Sequence, residues 1–334
     1  MKIAFLRSLV LLTLTLFVFQ SAWAAKPQLR FRTDGTFKIV MMSDVQDDES
    51  LDPRATALME KILDTEKPDF VVIGGDCIAG GICETADNVR QAIANVAYPM
   101  EKRKIPWAIV FGNHDQEHQG RTHMDKAAVL QYYASFPCNL NVRGPEGIHG
   151  AGNDDLLIMG RDGKPAFCAW LIDSGSYGPK GVSVYDWIHA DQVNWYYRTS
   201  KAVEAKYGRK VPGLMFFHIP VQEFTQMWKS GVAKGDRFEN EGSSKIHSAI
   251  FAAVKERGDV KGMFCGHEHI NNYVGEWKGV MLGYDSAVGY YEYNLPDSNP
   301  NHVRTRGGRV FLINESDPSH FRTWMRFLDG TEGP

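Results

Sequence analysis

Short apolar runs recur along this chain, separated by amphipathic stretches of helical period, and they tend to end on a polar side chain. Residues 37–43 run into Asp44, and residues 69–73 pass through Gly74-Gly75 to Asp76. Residues 105–111 lead into Gly112-Asn113-His114-Asp115. Between them lie predicted helices at 53–65 and 86–104, the first with Asp52 as N-cap and Pro53 in its first position. Strands alternating with helices in this way predict a parallel sheet. Right-handed crossovers then bring the strand ends to one edge, where open α/β sheets place their chemistry.

The same habit continues. A helix is predicted at 124–136, and strands at 156–159 and 166–172 form a hairpin around Arg161-Asp162-Gly163-Lys164. A Gly-, Pro- and aromatic-bearing loop at 177–188 precedes a helix at 189–207, closed by Gly208. A strand at 211–217 ends in His218-Ile219-Pro220, followed by a short helix at 221–229. Residues 230–244, rich in Gly and charge, read as a mobile surface loop before a helix at 245–257. The strand at 260–265 ends in Gly266-His267-Glu268-His269. Strands at 273–274, 280–282, 309–313 and 321–328 follow, with a polar excursion at 297–308. No internal repeat or low-complexity linker interrupts the pattern, which favours one domain.

The N-terminus departs from it. Lys2 and Arg7 precede an apolar stretch at 9–19, and Ala22-Trp23-Ala24 offers a small-x-small cleavage site. Residues 1–24 therefore read as a signal peptide and 25–334 as the mature domain, exported to a periplasm or secreted. The apolar stretch is shorter than the ~20 residues of a spanning helix, and no membrane span is expected after cleavage. Removing Lys2 and Arg7 takes the formal net charge from -3 to -5. With no basic stripe, a nucleic-acid-binding patch is not expected. Five cysteines in an exported chain allow two bridges at most, and Cys77 with Cys83, in a Gly-rich loop, is the expected pair.

Asp44, Asp76, Asn113, His218, His267 and His269 all stand at predicted strand ends. Singly, each is commonplace: a carboxylate after a strand usually caps or turns, and a lone His is usually packed. As an ordered set they form an oxygen and imidazole donor list suited to zinc, manganese or iron. His114 carries an imidazole, a group that ordinarily titrates near neutral pH and suits proton transfer. Arg121, just beyond, is the substrate-binding candidate, since a guanidinium can grip an anionic oxygen bidentately, against the competing reading of a solvated loop arginine. Tyr177, Tyr185 and Trp187 read as cleft walls or as packing residues.

Asp44-Val45-Gln46, Gly74-Gly75-Asp76, Gly112-Asn113-His114-Asp115, His218 and Gly266-His267-Glu268-His269 resemble the five ordered motifs of the calcineurin-like metallophosphoesterases. Gly112-Asn113-His114-Asp115-Gln116-Glu117, residues 171–177, Tyr185-Asp186-Trp187-Ile188 and Phe216-Phe217-His218-Ile219-Pro220 resemble the purple-acid-phosphatase-like branch. The resemblance implies an α/β fold with a two-sheet β-sandwich flanked by helices, in four α/β/β/α layers. It implies two divalent or trivalent ions (Mn, Zn or Fe), with Asp44 and His269 on one, Asn113, His218 and His267 on the other, and Asp76 bridging. His114 would stand beside them without ligating, with Asp115 orienting its ring. The implied activity is hydrolysis of phosphate esters, as a phosphomonoesterase, by in-line attack of a metal-bound hydroxide on the phosphorylated substrate. A phosphodiesterase acting on nucleotides or lipid head groups, and a binding protein that has lost catalysis, are the alternatives. Two departures stand out. Gln46 replaces the His of the usual Asp-x-His, and reads equally as a weaker ligand or as a hydrogen-bonding loop residue. Ala79 stands where purple acid phosphatases carry a Tyr, so no iron-tyrosinate colour is expected.

Overall fold

The computed structural model describes residues 26–334, and the predicted signal peptide lies outside them. The first half carries β1 (Thr36–Met42), α1 (Pro53–Glu66), β2 (Phe70–Ile73), α2 (Ala86–Arg103), β3 (Trp107–Ile109), α3 (Gln119–Thr122) and α4 (Lys126–Ala134). Next come β4 (Asp154–Met159), β5 (Pro165–Leu171), α5 (Ala190–Tyr207), β6 (Gly213–Phe216), α6 (Glu223–Ser230) and α7 (Ile250–Arg257). The chain then runs through β7 (Val260–Cys265), β8 (Val274–Trp277), β9 (Val280–Tyr284), β10 (Gly307–Asn314), β11 (Phe321–Phe327) and β12 (Glu332–Gly333).

These strands form two six-stranded mixed sheets, ordered β12-β11-β10-β1-β2-β3 and β4-β5-β6-β7-β9-β8. β1, β2 and β3 are parallel, as are β5, β6, β7 and β9, so their C-terminal ends share an edge within each sheet. Period-two alternation explains the layers. Phe37, Ile39 and Met41 of β1, Phe70 and Val72 of β2 and Phe311 of β10 face the space between the sheets, with Leu214, Phe216 and Phe264 from across. Their neighbours Val40, Met42, Val71 and Ile73 pack instead with α1 and α2. In the second sheet Met215 and Cys265 turn outward to the layer holding Tyr196, Phe224 and Val254. Strands buried on both faces must be apolar throughout, which is why they read as unbroken runs. The expected four layers are present.

Local chemistry sets the boundaries. The Asp52 carboxylate accepts from Arg54 N at 2.8 Å and starts α1, and Lys67 ends it in the left-handed region. Gly163, at φ 76, turns β4 into β5. Three expectations are corrected. α7 begins at Ile250 rather than 245, because Lys245 N is bound by Ser183 Oγ (2.9 Å) and the Ser248 hydroxyl accepts from Ile250 N (3.2 Å). Residues 230–244 are docked, not loose: Lys234 pairs with Val274, and Asn272 and Asn271 accept the amides of Asp236 (2.7 Å) and Phe238 (2.9 Å). Within that loop Glu241 receives Arg237 and the Tyr273 hydroxyl, both at 2.6 Å. Finally, all five cysteines are free and buried. The Cys77 thiol turns toward the Val110 carbonyl at 3.9 Å, in the core below β3, rather than toward Cys83.

Candidate metal centre

The turns after β1 and β2 are laced together. Asp44 N donates to Gly75 O at 3.0 Å and Gln46 N to Asp76 O at 2.9 Å. Asp44 (φ 52), Gln46 (φ 40), Asp76 (φ 44) and His267 (φ 79) all sit in the left-handed region. A non-glycine residue there costs about 1–3 kcal/mol and persists only where its surroundings over-determine it. Gly75 is needed for a different reason. It has φ 94, and a Cβ on it would lie 2.5 Å from His218 Nδ1. Only glycine lets this turn pass so close beneath the imidazole.

The donor atoms converge. Asp76, His218 and His267 offer ligand atoms within 4.8 Å of one another. His218 Nε2 lies 2.9 Å from Asp76 Oδ2 and 3.9 Å from Asp44 Oδ1, and His269 Nε2 lies 3.5 Å from Asp44 Oδ1. His218 Nδ1 faces the Gly74 carbonyl at 2.9 Å, which makes Nδ1 the protonated nitrogen and leaves the Nε2 lone pair for the centre. His267 Nδ1 faces His218 Nε2 at 3.3 Å, while its Nε2 looks toward Glu268, 3.9 Å away.

Asp44 Oδ1, Gln46 Oε1 and Asn113 Oδ1 are buried oxygens that lack a hydrogen-bond partner among the described residues. Each such acceptor costs about 1–3 kcal/mol if nothing meets it. Asp44 Oδ1 faces His218 and His269 at 3.9 and 3.5 Å, and it and the oxygens of Gln46 and Asn113, on the turns after β1 and β3, are acceptors waiting for a cation, so the residues fit the two implied ions. Electrostatics agree at His267 and His269; at His218 burial would lower the titration, but Asp76 prevails and raises it to about 10, so a cation would take the place of its Nε2 proton. Burial drives the His267 titration well down, and His269 down to about 4, keeping both rings neutral with a lone pair to give. Burial would also raise Asp76, but His218 holds it below the ordinary carboxylate range. Burial, with Asp76 nearby, pushes Asp44 up. A cation among these groups would favour both carboxylates as anions.

Beside the cluster, His114 N donates to Asp76 Oδ1 at 2.8 Å. Its ring Nδ1 meets Glu117 Oε2 at 2.9 Å. Glu117 Oε1 accepts the Tyr177 hydroxyl at 2.6 Å, and that hydroxyl accepts from Asn113 Nδ2 at 3.3 Å. Burial lowers the His114 titration, but the Glu117 bond and the Asp76 charge prevail and raise it to about 9. The expected role of Asp115 behind this ring is therefore corrected. Its carboxylate takes the amides of Cys77 (2.8 Å), Ile78 (3.1 Å) and Gly112 (2.7 Å), bracing the β2 turn. Residues 114–117 close a turn, Glu117 N to His114 O at 3.2 Å, and that turn swings Glu117 under the ring.

Arg121 is also corrected as a phosphoryl clamp. Its Nη2 donates to the carbonyls of Gly80 (2.9 Å), Gly81 (2.8 Å) and Cys83 (3.2 Å). Tyr185 stands edge-on to His267 at 4.4 Å and, with Tyr177, walls one side, whereas Trp187 stacks on His189. On the other side Tyr293 stacks on His269 at 4.4 Å, its hydroxyl on Glu239 at 2.7 Å. Glu117, Glu268 and Tyr293 escaped the sequence reading. Glu117 had a usable signal, its i+3 spacing from His114, and Tyr293 had none.

A two-sheet sandwich with carboxylate, amide and imidazole donors gathered at strand ends defines a metallohydrolase scaffold. The chain belongs to the calcineurin-like phosphoesterase family, whose model matches residues 37–271. Two similar proteins of Arabidopsis thaliana are named "Probable inactive purple acid phosphatase 14" and "Probable inactive purple acid phosphatase 29". The first is 36% identical over 80% of this chain and 74% of that protein, the second 33% over 81% and 77%. Phosphatase DCR2 of Saccharomyces cerevisiae is 28% identical over 74% of this chain and 46% of its own length. Two solved structures share the fold. A dimetal phosphatase from Danio rerio has TM-score 0.55 at 14% identity, covering 89% of this chain and 96% of that one. Purple acid phosphatase PPD1 of yellow lupin (Lupinus luteus) has TM-score 0.54 at 12% identity, covering 92% and 54%.

Proposed function

We propose that this protein is an exported, metal-dependent phosphoesterase acting on phosphate monoesters. The observation that carries this reading is the set of buried, partnerless oxygens on Asp44, Gln46 and Asn113 among His218, His267, His269 and Asp76. Asp44, Gln46 and His269 would hold one ion and Asn113, His218 and His267 the other, with Asp76 shared. Two such ions supply Lewis acidity and neutralise phosphoryl charge. The chain's own groups position and protonate. Glu117 takes His114 Nδ1, so Nε2 is the ring nitrogen left to give a proton to the leaving oxygen. Tyr177 and Tyr185 wall the cleft. The monoester preference draws support from the relatives named as phosphatases, and export from the leader pattern at residues 1–24. Among the described residues no helix is long and apolar enough to cross a membrane.

The word "inactive" in two relatives' names and Gln46 in place of His favour a second reading, a binding protein that keeps the centre without turnover. One experiment separates them. The mature chain is stripped with chelator, and manganese, zinc or iron is returned while mono- and diester substrates are assayed. Metal-dependent turnover that prefers the monoester about tenfold or more is expected. Metal binding without turnover of either class would leave the second reading standing.

A further inference from the structure

Residues 289–306 begin at the metal centre. Gly289 N donates to the Asp44 carbonyl at 3.0 Å, and Tyr293 stacks on His269. The same segment, with Arg54, lines a cavity of about 490 Å3 that includes Tyr290, His302 and Arg306. Arg306 is only 7% exposed, and its guanidinium carbon lies 4.0 Å from the Tyr290 ring centre. Among the described residues that guanidinium makes no hydrogen bond or ion pair. Other buried arginines are answered. Arg309 donates to the Tyr284 (2.6 Å) and Asn272 (2.7 Å) carbonyls, and Arg257 meets Ser200 (2.7 Å) and Glu204 (2.5 Å). Arg54 shares the Tyr290 ring at 4.5 Å, but Asp52 stands 2.6 Å from it. The cation–π contact covers only one face of the guanidinium, and its N–H donors, none of them fully enclosed, are left for whatever fills the cavity.

The surroundings suit an oxyanion. His302 Nδ1 faces the Asn299 carbonyl at 3.0 Å, leaving Nε2 free. The acids lining the cavity are Glu292 and Asp297, so recognition would come from the forked guanidinium rather than from net charge.

We propose that this cavity is a second phosphate-binding subsite beside the metal centre, in which Arg306 grips the non-reacting phosphate of a substrate carrying two phosphate groups. The substrate class rests on the phosphoesterase reading, but the existence of the subsite does not. Two measurements test it. In the first, the chelator-stripped full chain is titrated with inorganic phosphate by calorimetry. The wild type should bind, Arg306→Gln should bind about tenfold more weakly or worse, and Arg306→Lys should fall between, since an ammonium keeps the charge without the fork. Thermal melts confirm folding, and should Arg306→Gln not fold, Arg306→Lys carries the comparison. No phosphate binding by the wild type, or equal binding by wild type and variant, overturns the subsite.

In the second, KM is compared for butyl phosphate and 1,4-butanediol bisphosphate on the metal-loaded enzyme. The bisphosphate should have the lower KM, and Arg306→Gln should erase that preference. Arg306-dependent phosphate binding with no bisphosphate preference overturns the substrate assignment, because the cavity then takes free phosphate alone. If neither ester turns over, the phosphoesterase reading fails and the titration alone decides the subsite.

Discussion

Glu117 holds His114 Nδ1 at 2.9 Å and the Tyr177 hydroxyl at 2.6 Å, so one carboxylate orients both the proposed proton donor and a wall of the cleft. Glu117→Ala should lower turnover of alkyl phosphates about 100-fold, within the range a positioned acid contributes, and of nitrophenyl phosphate much less. The dependence of rate on leaving-group pKa checks this, and an equal loss on both substrates would count against His114 as the donor. Gln46 poses a different question. Its Oε1 is buried without a partner beside Asp44, whose Oδ1 is in the same condition. Gln46→Leu should weaken one of two metal sites about tenfold in a metal titration while sparing the other. Unchanged affinity at both would make Gln46 a packing residue.

At the scale of elements, one carboxylate adds a polar tie between α1 and its sheet. Glu66, at the end of α1, meets Lys38 of β1 at 3.1 Å and, on β11, Arg326 at 2.6 Å and Trp324 Nε1 at 3.2 Å. Burial opposes the charged form, but these hydrogen bonds win and hold Glu66 below the ordinary glutamate range. A carboxylate depressed on folding stabilises above its unfolded pKa, and that contribution fades as pH falls through the folded value. Glu66→Ala should cost about 2 kcal/mol near neutral pH, since it strands the half-buried Lys38 and Arg326, although Arg326 keeps Glu332. Urea midpoints measured from pH 7 to 3 check both statements. The gap between wild type and variant should narrow in acid, and a gap that stays constant would rule out the charge as its source. The docked loop at 230–244 works at the same scale. A Cβ on Gly242 would stand 2.8 Å from His267 Nε2, so this loop also backs the metal centre.

For the molecule as a whole, folding gathers Asp44, Asp76 and three histidines at strand ends from both sheets, so a bound cation is coupled to the fold. Ions held with free concentration well above Kd would add about 3–4 kcal/mol, and their removal should lower Tm by roughly 5 °C or more. Calorimetric melting before and after chelation checks this, and an unshifted Tm would count against a loaded centre. The proposed export belongs to this scale too. Protein recovered outside the cytoplasm should begin at Ala25 by N-terminal sequencing, and recovery with Met1 intact would refute the cleaved leader.

The sequence by itself determined the strand-helix alternation, the parallel order and the candidate donors at strand ends. Those properties are written locally, in the period of apolar positions and in the residue that closes each run, and the ordered motifs from Asp44 to His269 added the family. Partnerships were not written there. Glu117 rather than Asp115 meets His114 because a turn intervenes, and Arg121 is spent on the carbonyls of residues 80–83 because α3 docks there. Cys77 faces β3 and not Cys83, and residues 230–244 are held by Asn271 and Asn272. Tyr293 and Arg306 lie in a stretch without period, and only its passage beside Asp44 and His269 gives them meaning. Such contacts join residues far apart in the chain, where no local pattern records them, and only the tertiary structure decided them.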